Sequence, residues 1–291
     1  MTLTRQPVLV TGATGQVGRR LVAELLGAGV SVRALTRSPD TADLPGEVDV
    51  VAGGYSSLPG GVFDDVAAAF VFPAAGAVEF VAAATAAGVP RLVLLSSLAA
   101  AREHERDHGS ASQVHHTAIE DAVRESGTTW TVLRPGTFAS NLLSWARPIR
   151  FGGGVSGPYP HSAQAPIHEA DVAAAAAAVL TQDGHDRQTY ALTGPQALTR
   201  VEQLQAIGAA IERDLTFTET TPAQFRAEMS QYGVAEDIVT MLLDYWRDTV
   251  DEPDVVRSPE RLTGRPARTL ARWARDHAAD FGEDRHRSAG P

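Results

Sequence analysis

The chain has 291 residues, a formal net charge of −10 and no cysteine. That length suits one large α/β domain, or one domain with a smaller lobe, and the 44% hydrophobic content can supply a substantial core. The missing cysteines exclude disulfides, thiolate catalysis and cysteine zinc sites, and the acidic balance argues against nucleic acid as the main partner. All 25 basic residues are arginine, so no lysine can carry any chemistry here. The start, Met-Thr-Leu-Thr-Arg-Gln-Pro, has no basic segment followed by an apolar one. The alanine-rich runs are shorter than a bilayer span. The expectation is a soluble, cytoplasmic protein with no membrane partner, a monomer or homodimer.

In chain order, the apolar run Val8 to Thr11 predicts a first strand, followed by a helix from about Gln16 to Leu26. Strands are expected at Ser31–Leu35, Val48–Ala52 and Val66–Phe72, the last alanine-rich enough to leave helix open. A helix from Ala75 to Ala87 stops at Gly88 and Pro90. Arg91–Ser97 is the clearest strand; a helix over Ser112–Ser126 and a strand over Thr128–Leu133 follow. This alternation predicts an α/β fold with a doubly wound parallel sheet covered by helices on both faces.

Beyond Pro135 the pattern loosens into a glycine-rich loop, Phe151 to Pro160. Asp171 reads as the cap of a buried Ala-Val-Leu helix. Gln188–Leu192 and Leu215–Thr218 read as strands. Helices are expected from Val201 to Ile211, Pro222 to Tyr232 and Ala235 to Trp246, and a last amphipathic one carries Leu270, Trp273, Ala274 and Phe281. The expected division is a first domain over 1–135, a mixed segment over 136–281 that partly returns to the sheet, and a disordered tail over 282–291.

The run Val8-Leu-Val-Thr-Gly-Ala-Thr-Gly-Gln-Val-Gly18 places three glycines between a strand and a helix. Gly12 suits a tight turn, Gly15 lets backbone approach a pyrophosphate, and Gly18 lets helix pack on strand. The pyrophosphate would rest on the free N–H groups of the helix N-terminus.

Together with Val32-Arg-Ala-Leu-Thr-Arg37, Leu94-Leu-Ser-Ser97, His116-x-x-x-Glu120, Ser126-Gly-x-x-Trp-Thr-Val-Leu-Arg-Pro-Gly136, Ile167-His-Glu-Ala-Asp-Val-Ala173, Leu192-Thr-Gly194 and Leu262-Thr-Gly-Arg-Pro266, this run resembles the NmrA-like, atypical branch of the short-chain dehydrogenase/reductases. The resemblance implies a Rossmann domain with a smaller C-terminal α/β substrate lobe. It places the dinucleotide along Gly12, Thr14, Gly15, Gln16, Val17, Arg37, Phe72, Pro73, Ser96, His116, Pro135 and Phe138. The second strand ends Leu35-Thr36-Arg37-Ser38 with no acid before Asp40. Arg37 is therefore the candidate clamp for a ribose 2′-phosphate, supported by the Thr36 and Ser38 hydroxyls, and the cofactor is expected to be NADP(H). Relatives often carry Gly-Asp after the third strand, where this chain has Gly53-Gly54.

Reductases of this class usually pair a tyrosine with a lysine four residues on, the tyrosine donating a proton to the carbonyl oxygen. Counting back from Glu120, those slots hold Ser112 and His116. The candidate catalytic residues are instead Ser96, Ser97 and His116. His116 could hold the nicotinamide ribose or relay a proton, with Glu120 orienting it; the serines could bind a substrate oxygen or simply cap the turn. His104-Glu-Arg-Asp-His108 matches the zinc-protease spacing, but it is charged throughout and Gly109-Ser110 breaks any helix, so no metal site is expected.

The family's substrate pocket maps onto Phe138, Asn141, Leu142, Trp145, Phe151, Tyr159 and His161, with Trp246 a further candidate. Such clustered aromatics suit a flat apolar ligand. The resemblance thus implies an NADPH-dependent reductase of a bulky aromatic carbonyl, a quinone or a polycyclic polyketide ketone of angucyclinone type, as in antibiotic biosynthesis. The alternative is a non-catalytic NADP-binding redox sensor acting through a protein partner.

Overall fold

A computed structural model describes residues 6–282; the expected C-terminal tail lies outside the described residues except for Gly282. The elements in chain order are β1 Val8–Thr11, α1 Gln16–Gly27, β2 Val32–Thr36, β3 Asp49–Ala52, β4 Ala68–Val71, α2 Ala77–Ala86, β5 Arg91–Leu95, α3 Ala111–Glu125, β6 Thr129–Pro135, α4 Ala146–Gly152, β7 Gly154–Gly157, β8 Ala163–Gln164, α5 Glu169–Thr181, β9 Gln188–Leu192, β10 Leu198–Thr199, α6 Arg200–Ala210, β11 Thr216–Glu219, α7 Pro222–Gln231, α8 Glu236–Asp251, α9 Glu260–Thr263, α10 Leu270–Asp276 and α11 Ala278–Phe281. The described residues divide into two compact units. One takes 6–136, Glu169–Leu192 and Pro259–Pro266; the other takes Thr137–His168, Thr193–Ser258 and 267–282.

The first unit is built on a seven-stranded sheet of order β3-β2-β1-β4-β5-β6-β9, parallel at every pairing. Its central strands read as near-continuous apolar runs because helices cover both faces. Leu9, Phe80, Leu92 and Leu94 are fully buried in its core. The strand order reverses between β1 and β4, which opens a crevice at their carboxyl ends where open α/β sheets bind ligands. α5 packs on α1; its alanines keep the two backbones close, and Glu169, fully buried, meets Arg20 at 2.7 Å.

The second unit holds two small ladders, β7 with β11 in parallel and β8 with β10 antiparallel. Its core gathers Leu142, Ile149, Leu204, Ile207, Trp273 and Phe281, with a smaller cluster at Phe225, Val239 and Leu243.

Two expectations need correction. Asp171 does not cap α5, which starts two residues earlier; Asp171 is buried in its first turn, where a carboxylate complements the helix dipole. The last amphipathic stretch is two short helices interrupted at His277, whose φ of −110° departs from helical geometry. Among the described residues no helix is long and apolar enough to cross a membrane.

Candidate active site

The turn after β1 is shaped by its glycines. Gly12 adopts φ +63°, and its carbonyl accepts from the Gly15 N–H at 3.0 Å. A Cβ on Gly18 would lie 2.1 Å from the Gly12 carbonyl oxygen, so only glycine allows α1 to leave the turn this closely. Gly15 is the N-cap of α1 and no side chain caps the helix. Its first-turn N–H groups therefore have neither an intrahelical acceptor nor a capping oxygen. There is also no acid in that turn. Free donors, a positive helix end and close backbone access are what a pyrophosphate requires, so these residues fit a dinucleotide. Gly15 and Gln16 are exposed, Gly12 and Thr14 half-buried, and Val17 buried beneath them.

Across the crevice, Phe72 directly follows β4 and is 40% exposed, with its ring against Gly12, where a Cβ would approach Cγ to 2.9 Å. Beside it lies a residue the sequence did not single out. The Tyr55 hydroxyl donates to the Phe72 carbonyl at 2.8 Å and sits 2.6 Å from Thr11 Oγ1. Thr11 donates in turn to the Phe70 carbonyl at 2.9 Å and accepts from the Phe72 N–H. Burial pushes the Tyr55 phenol up to about 12. The phenol thus stays protonated and fixes the β1 and β4 ends together. No local pattern marks Tyr55, because its partners are far away in sequence.

Arg37 is exposed, and its stem runs over Gly54, where a Cβ would come within 3.2 Å of Cγ. The Gly53-Gly54 pair that departs from the family's Gly-Asp thus makes room for the arginine. A Cβ on Gly53 would lie 2.8 Å from the Ser57 carbonyl oxygen. The Thr36 hydroxyl is buried and its oxygen accepts from the Ser38 N–H at 3.2 Å, a contact that does not use its O–H; Ser38 itself is exposed.

At the end of β5 the two serines part ways. Ser96 is buried, and its hydroxyl donates to Glu120 Oε1 at 2.5 Å. Ser97 is half-buried and its oxygen accepts from the Ala99 N–H at 3.3 Å, capping a 3-10 turn. Glu120, fully buried on α3, also accepts from Arg134 Nε at 2.9 Å and Nη2 at 2.7 Å. Arg124 adds a contact at 2.8 Å. Burial alone would raise the Glu120 pKa; the Arg134 and Ser96 hydrogen bonds outweigh it and hold the carboxyl below its ordinary value.

Glu120 therefore does not orient His116. The His116 Nδ1 is buried and has no hydrogen-bond partner among the described residues. Burial, aided by the neighbouring His115 and opposed by Glu120, lowers its pKa to about 4. At neutral pH the ring is neutral and keeps one N–H donor and one acceptor. An orphaned buried polar atom calls for a partner, which a water or a bound molecule would supply. His115 Nε2 lies 3.1 Å from the Pro73 carbonyl oxygen, tying α3 to the loop after β4. The segment from His104 to His108 is a single 3-10 turn, Glu105–Asp107, too short to present two histidines on one helical face.

Of the remaining candidates, Pro135 ends β6 and is buried. Phe138, half-buried, bridges to Ile167. Leu142 turns into the second unit's core, whereas Asn141 is exposed and Phe151 is 82% exposed. Trp145 and Tyr159 are half-buried in the same unit, Tyr159 against the Phe225 cluster.

Comparison with known proteins gives a consistent picture. A family model described as NAD(P)H-binding matches residues 12–183. The chain is 38% identical over 282 residues to a (4-alkanoyl-5-oxo-2,5-dihydrofuran-3-yl)methyl phosphate reductase of Streptomyces griseus, covering 94% of this chain and 99% of the relative. It is 33% identical to an NAD(P)H azoreductase of Xenophilus azovorans, covering 94% and 99%. The structure of an NADPH-dependent quinone oxidoreductase from Escherichia coli superposes with a TM-score of 0.75 at 25% identity, covering 92% of this chain and 98% of that one.

Proposed function

Since the chain belongs to the NAD(P)H-binding family and is an NAD(P)H-dependent oxidoreductase, we propose that it is an NADPH-dependent reductase of flat, conjugated acceptors, quinones or the carbonyls of bulky aromatic compounds. The observation that carries the acceptor class is the lack of an acid at the end of β5. The Ser96 hydroxyl is already hydrogen-bonded to Glu120, His116 is held neutral, and Ser97, with its ordinary hydroxyl, is a poor acid. A simple ketone would leave an alkoxide about as basic as hydroxide, with bulk water's pKa of about 15.7. A quinone leaves a phenolate-like anion near pKa 10, as for tyrosine, which solvent can protonate. The absent tyrosine and lysine therefore select acceptors whose reduced form is delocalised or carries its own phenol.

The bound cofactor supplies the reducing equivalents. The chain's residues position it: the α1 N-terminus and the Gly12–Gly18 turn hold the pyrophosphate, Arg37 takes the 2′-phosphate over Gly54, and neutral His116 hydrogen-bonds the ribose or substrate oxygen from α3. Glu120 and Arg134 fix α3 against β6. The relatives' names fit this reading, since azo compounds and quinones are conjugated electron acceptors. The Streptomyces relative's name adds an unsaturated lactone that carries a phosphate ester.

The test is NADPH oxidation against a panel of naphthoquinones, anthraquinones and aryl ketones, with NADH in parallel and products identified by mass. Substrate-dependent NADPH loss with addition of two hydrogens, faster for quinones than for simple ketones, is expected. Tight NADPH binding without turnover across the panel would overturn the reading in favour of a sensor.

A further inference from the structure

In the second unit, Arg200 is 3% exposed and has no carboxylate within ion-pair distance among the described residues. Three aromatic rings from three different elements surround its guanidinium: Trp246 of α8 at 3.8 Å, Phe217 of β11 at 5.3 Å and Trp145 at 5.9 Å. Each ring is itself partly exposed, so the cation lies behind rings that reach the surface. Nη1 donates to the Pro158 carbonyl at 2.6 Å, and that is its side chain's one hydrogen bond within the described residues. Gly157 leaves room for the guanidinium itself, since a Cβ there would lie 3.0 Å from Nη2.

A buried guanidinium usually has an anionic partner, because desolvating a charge is costly unless it is paired. Cation–π contacts recover part of that cost, but a carbonyl and three rings leave N–H donors of the fork unused. We propose that Arg200 is the anion-recognition residue of the substrate lobe, binding the phosphate monoester of an aromatic or conjugated substrate while Trp246, Trp145 and Phe217 cover its flat apolar part. Burial lowers the Arg200 pKa to about 9, a cost that a phosphate would relieve. The fork matches phosphate geometry bidentately, which a lysine's point charge does not. This inference rests on the proposed reductase reading and specifies one end of its substrate.

The experiment is isothermal titration of the full chain, saturated with NADP+, against benzyl phosphate, benzyl alcohol and inorganic phosphate. Benzyl phosphate is expected to bind at least about ten-fold more tightly than either other probe, in line with a charge-assisted bidentate contact. Arg200→Met should remove the difference and Arg200→Lys should keep part of it. Equal binding of benzyl phosphate and benzyl alcohol by the wild-type chain would overturn the proposal, whatever the variants do. Inorganic phosphate binding as tightly as benzyl phosphate would also overturn it, leaving a free-anion site. If Arg200→Met lowers the melting temperature while wild-type probes bind alike, Arg200 is a clamp on Pro158 alone. The readout does not need turnover, so failure of the reductase reading shows separately, as no NADPH oxidation with any quinone.

Discussion

Ser96 Oγ donates to Glu120 Oε1 at 2.5 Å, and that single contact decides how the end of β5 works. It spends the hydroxyl that would face a substrate and joins the strand to α3. The carboxylate is then completed by Arg134 from β6 and Arg124 from its own helix. Removing one partner of such a buried charge network typically costs about 3–5 kcal/mol. Glu120→Gln should therefore lower stability on that order, read as the midpoint of urea unfolding, and should reduce turnover through displacement of α3.

The same carboxyl sets an acid limit. Its folded pKa lies below the unfolded value, so the folded state binds fewer protons as pH falls through the carboxylate range. Its contribution to stability is complete above the unfolded pKa and is lost as pH drops through the folded one. Wild-type melting temperature should fall on acidification in that window, and the Glu120→Gln variant should show a shallower fall. Equal slopes would contradict this.

His116 gives a second acid effect. With its pKa lowered from 6.5 to about 4, it is neutral in the fold where the unfolded chain is protonated, so stability falls as pH drops from about 6.5 towards 4. Proton NMR of the ring should show a midpoint near 4. The pH–rate profile should show no break near 6.5 assignable to His116, and His116→Phe should reduce turnover without abolishing it. A loss of several orders of magnitude would assign it the proton transfer directly.

For cofactor choice, Arg37→Ala should weaken NADPH binding by about 1.5–3 kcal/mol, the worth of a charge-assisted hydrogen bond, and leave NADH binding unchanged. Quenching of tryptophan fluorescence by each nucleotide measures both. Equal losses would remove Arg37 from the 2′-phosphate.

Two residues placed in the substrate lobe by resemblance separate by burial. Leu142 fills the core beside Ile149 and Trp273, so Leu142→Ala should destabilise by about 2–5 kcal/mol through a cavity. Phe151, 82% exposed, should change stability by no more than about 0.5 kcal/mol when replaced by alanine. Any effect of Phe151→Ala then appears in KM for large quinones, and an unchanged KM would remove it from the substrate site.

Much of this protein is legible in its sequence where the signal is local. The glycine turn of Gly12 to Gly18, the apolar strands and the arginine that follows β2 are each fixed by conformational rules or periodicities spanning a few residues. They give the fold, the cofactor and its expected phosphate clamp. Tertiary structure alone decided which polar groups are already satisfied. Ser96 and Ser97 are adjacent and chemically identical, yet one is bound to a carboxylate 24 positions away and the other caps its own turn. His116 and Glu120 share a helical column, but Arg134 and Ser96 reach Glu120 first, leaving the histidine half-buried and neutral, its Nδ1 without a hydrogen bond among the described residues. Tyr55 acquires its role from Thr11 and Phe72, and Arg200 its aromatic rim from three separate elements. Burial and hydrogen-bond competition depend on which distant segments meet, and chain-local pattern carries no record of that.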